Sequence, residues 1–336
     1  MVTAALKAAS AKRREANRAR GEARDYERVR ARAIEIDARV MITRRCHDRR
    51  FFLTPCGDPR KGHTAEETAN FYGFIVARAV KNYGVSFHGA IQMGDHHHIN
   101  ITDRLGNRPN FKNSVHSNLA KGLNARFGRF DSVWSGGGSC DTVTPSDDGT
   151  LEDLAYTDCN AQCAGLVKWA RLWPGFSTYG WRFGETRTFT RPGWFCDPDN
   201  PDNTDTIELT RTRPDIFPEL TDDELSDKLF KRCAEIEQKV QAEMKAENRR
   251  FVGLRKLAKT KWWKRAKSPE KRFTTVPTVA SSQADKRQKE LRKNEDWRRK
   301  YAGQRDEYRA GRPAKFPAGS YFLTTIYGAS VETKPP

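Results

Sequence analysis

The segment IQMGDHHHINITD, residues 91–103, sets three of the chain's seven histidines side by side. VSFHGAIQM (85–93) and HHHINITD (96–103) read as two strands, with Gly94-Asp95 as a two-residue hairpin connection. Successive side chains on a strand point to opposite faces. His96, His98, Asn100 and Thr102 therefore share one face, while His97, Ile99 and Ile101 share the other, which the isoleucines mark as the core side. Two imidazoles at i and i+2, roughly 7 Å apart along the backbone, can converge on one divalent ion. His96 and His98 are the candidate ligands and His97 is a packing residue. The competing reading is a polar strand whose histidines face water.

Outward from this hairpin, RVMITRR (39–45) reads as a strand. TAEETANFYGFIVARAVKNYG (64–84) reads as a helix, capped by Thr64 and stopped at Gly84, with Phe71, Ile75, Val76 and Val80 at helical spacing. Further helices are expected over about 112–127 and 151–164, the second with Thr150 as cap and Gly165 as stop, and a strand over about 139–144. The order is β-α-β-β-α-β-α. Beyond it, CDPDNPDNTDT (196–206) is a Pro/Asn/Asp loop, a capped helix starts near Asp222, and a Ser/Thr/Val/Pro linker near 273–283 leads to another basic helix.

The 336 residues carry a formal charge of +18, which favours a polyanionic partner. The excess lies at the ends. Residues 1–50 hold 15 Lys/Arg against 7 Asp/Glu, and residues 245–316 hold 24 against 8, so the rest is slightly acidic. Basic arms flanking a nearly balanced core are expected. Seven cysteines without a C-x-x-C pair fit a reduced, cytoplasmic protein and leave little for structural zinc. No apolar run approaches the ~18 residues of a membrane span, and the basic, acid-containing N-terminus is unlike a signal or transit peptide.

QMGDHHHINI resembles the Met-Pro-Asn-His-hydrophobic-His-Leu segment of the single-tyrosine, single-strand DNA transposases, the insertion-sequence-200-like group, and especially the REP-associated tyrosine transposases. YTDCNAQCAGLV (156–167) is similar to that subgroup's Tyr-Ile-Glu-x-Asn-Pro-x-x-Ala-Gly-Leu-Val. FDSVWSGG (130–137), WPGFSTY (173–179) and MITRRCHDRRFF (41–52) are similar to the family's Trp turn, trailing Trp-Ser-Ser-Tyr and first strand with its arginine-rich turn. The matches run over about 38–182 in the family's order. Gly94-Asp95 stands for Pro-Asn, His97 fills the hydrophobic slot, and Ala161 replaces a proline.

The resemblance implies an α+β fold, an antiparallel sheet of ferredoxin-like βαββαβ(α) topology covered by helices (the HUH endonuclease fold), with a mainly helical basic C-terminal extension. The expected division is a helical arm (1–37), the transposase domain (38–182), a loop-rich connector (183–220) and the extension (221–336). It implies Mg²⁺ or Mn²⁺ on His96, His98 and Asn160, and Tyr156 as the nucleophile that leaves a 5′-phosphotyrosine. Tyr156 and Asn160, four apart on one helix, share a face.

The implied partner is single-stranded DNA with hairpin ends, bound by a monomer or homodimer in the cytoplasm near a bacterial nucleoid. Arg44, Arg45 or Lys168 are candidates to assist the phenol. In KWWKRAK, Lys261, Trp262, Trp263, Lys264 and Arg265 interleave rings and charge as base-stacking, phosphate-neutralising surfaces do. The alternative for that stretch is an amphipathic segment docking Trp262 and Trp263 on the core. Two other functions compete: a non-catalytic hairpin DNA- or RNA-binding protein, and a rolling-circle initiator or relaxase.

Overall fold

The computed structural model describes residues 31–57, 61–136, 138–195, 205–267, 278–281, 283–321 and 328–333. Its larger compact unit, Ile36–Arg287, is built on a four-stranded antiparallel sheet. The strands are β1 (Ala38–Arg45), β2 (Ser86–Gln92), β3 (His96–Asp103) and β4 (Cys140–Val143), in the spatial order β2-β3-β1-β4. β1 lies in the centre because Val40 and Ile42 feed the core between β3 and β4.

Three helices cover the sheet. α1 (Ala65–Tyr83) begins where the Thr64 hydroxyl accepts from Glu67 N–H and ends on Gly84 at φ 61°. α2 (Arg108–Phe127) starts four residues earlier than its apolar pattern suggests, because the Asp103 carboxylate accepts from the Asn107 and Arg108 amides at 2.8 and 2.9 Å. α3 (Asp147–Cys163) is capped by Ser146, so Thr150, expected as the cap, sits inside it and bonds back to Ser146 O. Phe71, Tyr72 and Phe74 of α1 and Phe111, Val115 and Leu119 of α2 join Ile42, Ile99 and Ile101 in one buried cluster. α3 covers the other sheet face, where Asn100 donates to Thr157 Oγ1 at 2.8 Å.

The stretch expected as a loop-rich connector holds two paired strands, β5 (Thr186–Thr190) and β6 (Thr206–Thr210). Their inward residues Phe189, Ile207 and Leu209 are buried in the main cluster. A side chain at Gly73 on α1 would overlap the Phe189 ring, its Cβ lying 2.2 Å from a ring carbon, which is why the helix carries glycine there.

α4 (Asp222–Ala246) opens with a full capping box between Thr221 and Glu224. Its Leu225, Leu229 and Cys233 pack on Leu151, Leu154 and Cys159 of α3. It therefore belongs to the sheet unit, not to a separate extension beginning at 221. The chain then returns through the short α5 (Leu254–Leu257), where Val252 and Gly253 amides donate to Gly165 and Leu166 carbonyls at 3.0 and 2.9 Å. Part of the expected 273–283 linker, 273–277 and 282, lies outside the described residues; Val279 pairs in parallel with Val143.

The second unit joins the N-terminal residues to Gln288–Pro336. In it α6 (Ala284–Arg309) stacks Trp297 on Tyr301, and Tyr301 meets Phe316 at 5.4 Å. Ile34 N–H donates to Gly319 O at 3.1 Å, and Lys293 pairs with Glu35 at 2.6 Å. The expected N-terminal helix lies outside the described residues up to 30, and residues 31–37 are not helical. No helix among the described residues is long and apolar enough to cross a membrane.

Candidate metal and nucleophile site

Antiparallel pairing fixes which side chains meet. His98 lies opposite Thr43 and His96 opposite Arg45, while His97 lies opposite Arg44 on the reverse face. His97 is fully buried there, bonded through Nδ1 to Tyr72 Oη (2.8 Å) and through Nε2 to His116 Nε2 (3.1 Å), with its ring stacked on Trp134. The strand phase read from the isoleucines is the one observed.

The rings of His96 and His98 stand 5.0 Å apart, nearly perpendicular. His96 Nδ1 meets Asp95 Oδ1 at 2.7 Å. Burial alone would push the Asp95 carboxyl up, yet the hydrogen bond and charge of His96, with Arg49 and Arg45, hold it below its ordinary range. An ionised carboxylate only accepts, so His96 carries its proton on Nδ1 and, when neutral, presents a lone pair on Nε2. His98 Nδ1 meets the Thr43 hydroxyl at 2.8 Å, and its Nε2 is buried without a hydrogen-bond partner. Burial, followed by the charges of His96, His97 and Arg45, keeps His98 neutral well below the usual imidazole pKa.

α3 brings Tyr156 against His98, with Asn160 one turn further along the helix. The Tyr156 ring is 5.7 Å from His98, edge to face, and the residue is 42% exposed. Asn160 is buried and hydrogen-bonds the Tyr156 hydroxyl. Burial raises the phenol's pKa above its ordinary value. Asn160 and the Arg45 charge act against that rise, while Cys163 and Asp153 add to it. Among the described residues no group of three or more His, Cys, Asp or Glu side chains is placed to hold a metal. A cation between His96 and His98 would take its third protein donor from an amide, and the orphaned Nε2 of His98 fits such a cation.

The remaining candidates separate. Arg45, exposed at the end of β1, is the cation whose charge reaches Tyr156, His98 and Asp95. Arg44 points to the reverse face, donates to Ser135 O at 3.2 Å and acts on His97 and His116, so it is not beside the phenol. Lys168 is exposed with its ammonium 5.9 Å from the Trp169 ring, and its carbonyl accepts from Gln162. Trp262 docks on the core, stacked on Phe127 at 4.8 Å and tilted against Phe52 at 6.0 Å. Trp263 packs edge-on against Trp262, leaving Lys261, Lys264 and Arg265 exposed.

Two supporting groups escaped the sequence. Thr43 became relevant only through the strand register. Arg211, fully buried, pairs with Asp158 at 3.0 Å and donates to the carbonyls of His88, Thr178 and Trp181. It thus ties β6 and the 178–181 turn to the helix that carries Tyr156. Nothing in the composition of TIELTRTRP marks that arginine as internal; only the alternation of β6 does.

No family model matches this sequence, and no curated protein matches it. One solved structure does, described as a REP-associated tyrosine transposase bound to a REP hairpin. It is 15% identical, the match covers 45% of this chain and 81% of that one, and the TM-score is 0.34.

Proposed function

We propose that the chain is a metal-dependent single-strand DNA endonuclease and strand transferase of the single-tyrosine, HUH type, acting next to DNA hairpins. The observation that carries this reading is that the Tyr156 ring lies 5.7 Å from that of His98, which stands 5.0 Å from His96 and keeps a buried Nε2 without a hydrogen-bond partner. A structural helix tyrosine has no need of that arrangement. The residue spacings similar to the transposase motifs support the same reading.

His96, His98 and Asn160 are the residues that would hold the ion, and imidazole donors favour Mn²⁺ over Mg²⁺. When bound, it supplies positive charge that polarises the scissile phosphate and lowers the cost of ionising a nearby phenol. Tyr156 Oη attacks phosphorus; its proton leaves to water, the bond to the 3′-oxygen breaks, and that oxygen takes up a proton. The products are a 5′-phosphotyrosine and a free 3′-hydroxyl. The phosphotyrosine keeps a diester's reactivity, so a second 3′-hydroxyl can reverse the step without ATP. The Arg45 charge favours the phenolate and would also favour an incoming phosphate.

The test is incubation of the full-length protein with single-stranded hairpins and Mn²⁺, followed by denaturing electrophoresis. A covalent protein–DNA adduct, absent with Tyr156→Phe, is expected. Hairpin binding without any adduct would overturn the catalytic reading in favour of a binding protein on the same fold.

A further inference from the structure

Phe130 follows the end of α2 and is 99% exposed, in a chain whose other phenylalanines mostly fill the core. Burying such a ring would favour folding, and at this exposure it contributes nothing to it. Nor is it there because the turn is loose. Arg129 N–H donates to Asn124 O at 2.8 Å, Arg129 Nη1 to Asn124 Oδ1 at 3.2 Å, and Asn124 Nδ2 to Asp131 O at 2.9 Å. The backbone on both sides of Phe130 is thus tied to one asparagine, and the ring is presented on a fixed support.

The surroundings are cationic. The Arg129 guanidinium sits 3.9 Å over the Phe52 ring and 5.8 Å from Trp262, and Phe51 N–H donates to Lys264 O at 2.9 Å. This packing brings exposed Lys261, Lys264 and Arg265 onto the same side of the unit as the 128–132 turn. The path from there to the histidines is short: the chain before Phe51 carries Arg49, whose Nε is 3.7 Å from Asp95, and Asp95 holds His96. A single exposed aromatic is ordinary on a protein surface. One presented on a braced turn, on the side of the unit that carries these cations, has the make-up of a surface that stacks unpaired bases and neutralises their backbone.

We propose that Phe130 is a stacking subsite for an unpaired base in the single strand flanking the hairpin, with Lys261, Lys264 and Arg265 on the adjoining phosphates. The inference rests on the DNA reading above and adds to it a selector for flanking single strand over hairpin stem.

The probes are a DNA hairpin with single-stranded flanks carrying 2-aminopurine and the same hairpin without flanks, both titrated with full-length protein. Stacking on the ring quenches the 2-aminopurine. Phe130→Ala is expected to weaken binding of the flanked hairpin roughly 5- to 150-fold and to abolish the quenching. Affinity for the blunt hairpin, Mn²⁺ binding and the melting temperature should stay within error, and Phe130→Trp should restore the quenching. Equal affinity and quenching of wild type and Phe130→Ala on the flanked probe, while wild type forms the covalent adduct, overturns the stacking subsite alone. A wild-type protein that binds neither probe overturns both the subsite and the DNA reading.

Discussion

The hydroxyl of Thr43 and Nδ1 of His98 lie 2.8 Å apart across the β1–β3 pair, while the other nitrogen of that ring, Nε2, is buried without a partner. Threonine at this position therefore orients the imidazole proposed as a metal ligand. Thr43→Val keeps the shape and removes the hydrogen bond. Mn²⁺ affinity, measured by calorimetry, is expected to fall ~10- to 100-fold, the usual cost of an outer partner of a metal-bound histidine. An unchanged affinity would show that packing alone holds the ring.

The three adjacent histidines should separate cleanly. His96→Ala and His98→Ala are expected to lose Mn²⁺ binding. His97→Leu is expected to keep it, but at a cost in stability. Leucine leaves Tyr72 Oη and His116 Nε2 buried without the partner they now share, worth ~1–3 kcal/mol for each unsatisfied group. The substitution is therefore not the harmless return to an apolar slot that strand phase alone suggests. Metal loss in His97→Leu with a normal melting curve would contradict the observed register.

Tyr156→Phe removes one oxygen from a partly exposed side chain. Adduct formation should vanish, with hairpin affinity and melting temperature nearly unchanged. Asn160→Ala should instead weaken Mn²⁺ binding and strand cleavage together, because its amide serves both the phenol and the proposed ion. If Asn160→Ala slows cleavage with full Mn²⁺ affinity, the amide acts on the tyrosine only.

How far the sequence reaches depends on whether a signal is local. The phase of His96, His97 and His98 was legible because Ile99 and Ile101 mark the core face in the same strand. Thr64 and Gly84 announced α1 by the same local chemistry. Ser146 rather than Thr150 caps α3, and the spacing does not separate the two because both residue types are good caps. β5 and β6 were hidden by the Pro/Asp stretch between them. The partners of Arg44, Trp262 and Arg211 come from distant strands and loops, and one-dimensional spacing carries no record of them.

Stability should fall as the solution is acidified below neutrality. Burial holds His88 down to about 4 and His116 to about 3, and His97 and His98 are lowered as well. The unfolded chain takes up these protons near the ordinary imidazole pKa of ~6.5 while the folded one refuses them. The stability is therefore complete above that pH and is lost below it, down to about 4 for His88 and about 3 for His116. Asp153 works in the opposite sense: burial raises it to about 6, so the folded state gains a proton first and gains stability as pH falls toward the ordinary carboxyl value. The histidines outnumber it. The melting temperature is expected to drop steadily between pH 7 and 4, with up to ~1.4 kcal/mol per pH unit for each net proton. A flat profile would mean that the histidine cluster is hydrated in solution.

The basic C-terminal region must be divided before it is tested. Residues just past Met244 are structural: the 252–253 amides bond to Gly165 and Leu166, Leu257 is buried, and Val143 N–H donates to Thr278 O at 2.9 Å. A cut after Met244 would expose that core and confuse folding with DNA contact. A cut after Arg287 follows the boundary of the sheet unit and removes residues 288–336, with 11 Lys/Arg against 6 Asp/Glu. If those charges lie along DNA, each lost phosphate contact lowers the slope of log affinity against log salt by ~0.7–0.9. The truncated protein is expected to melt like the sheet unit of the full chain, to bind hairpins more weakly with a flatter slope, and to form the Tyr156 adduct at saturating DNA in low salt. A slope identical to the full-length value would show that these cations do not lie along the DNA, and that the DNA field comes from the basic groups between 1 and 287.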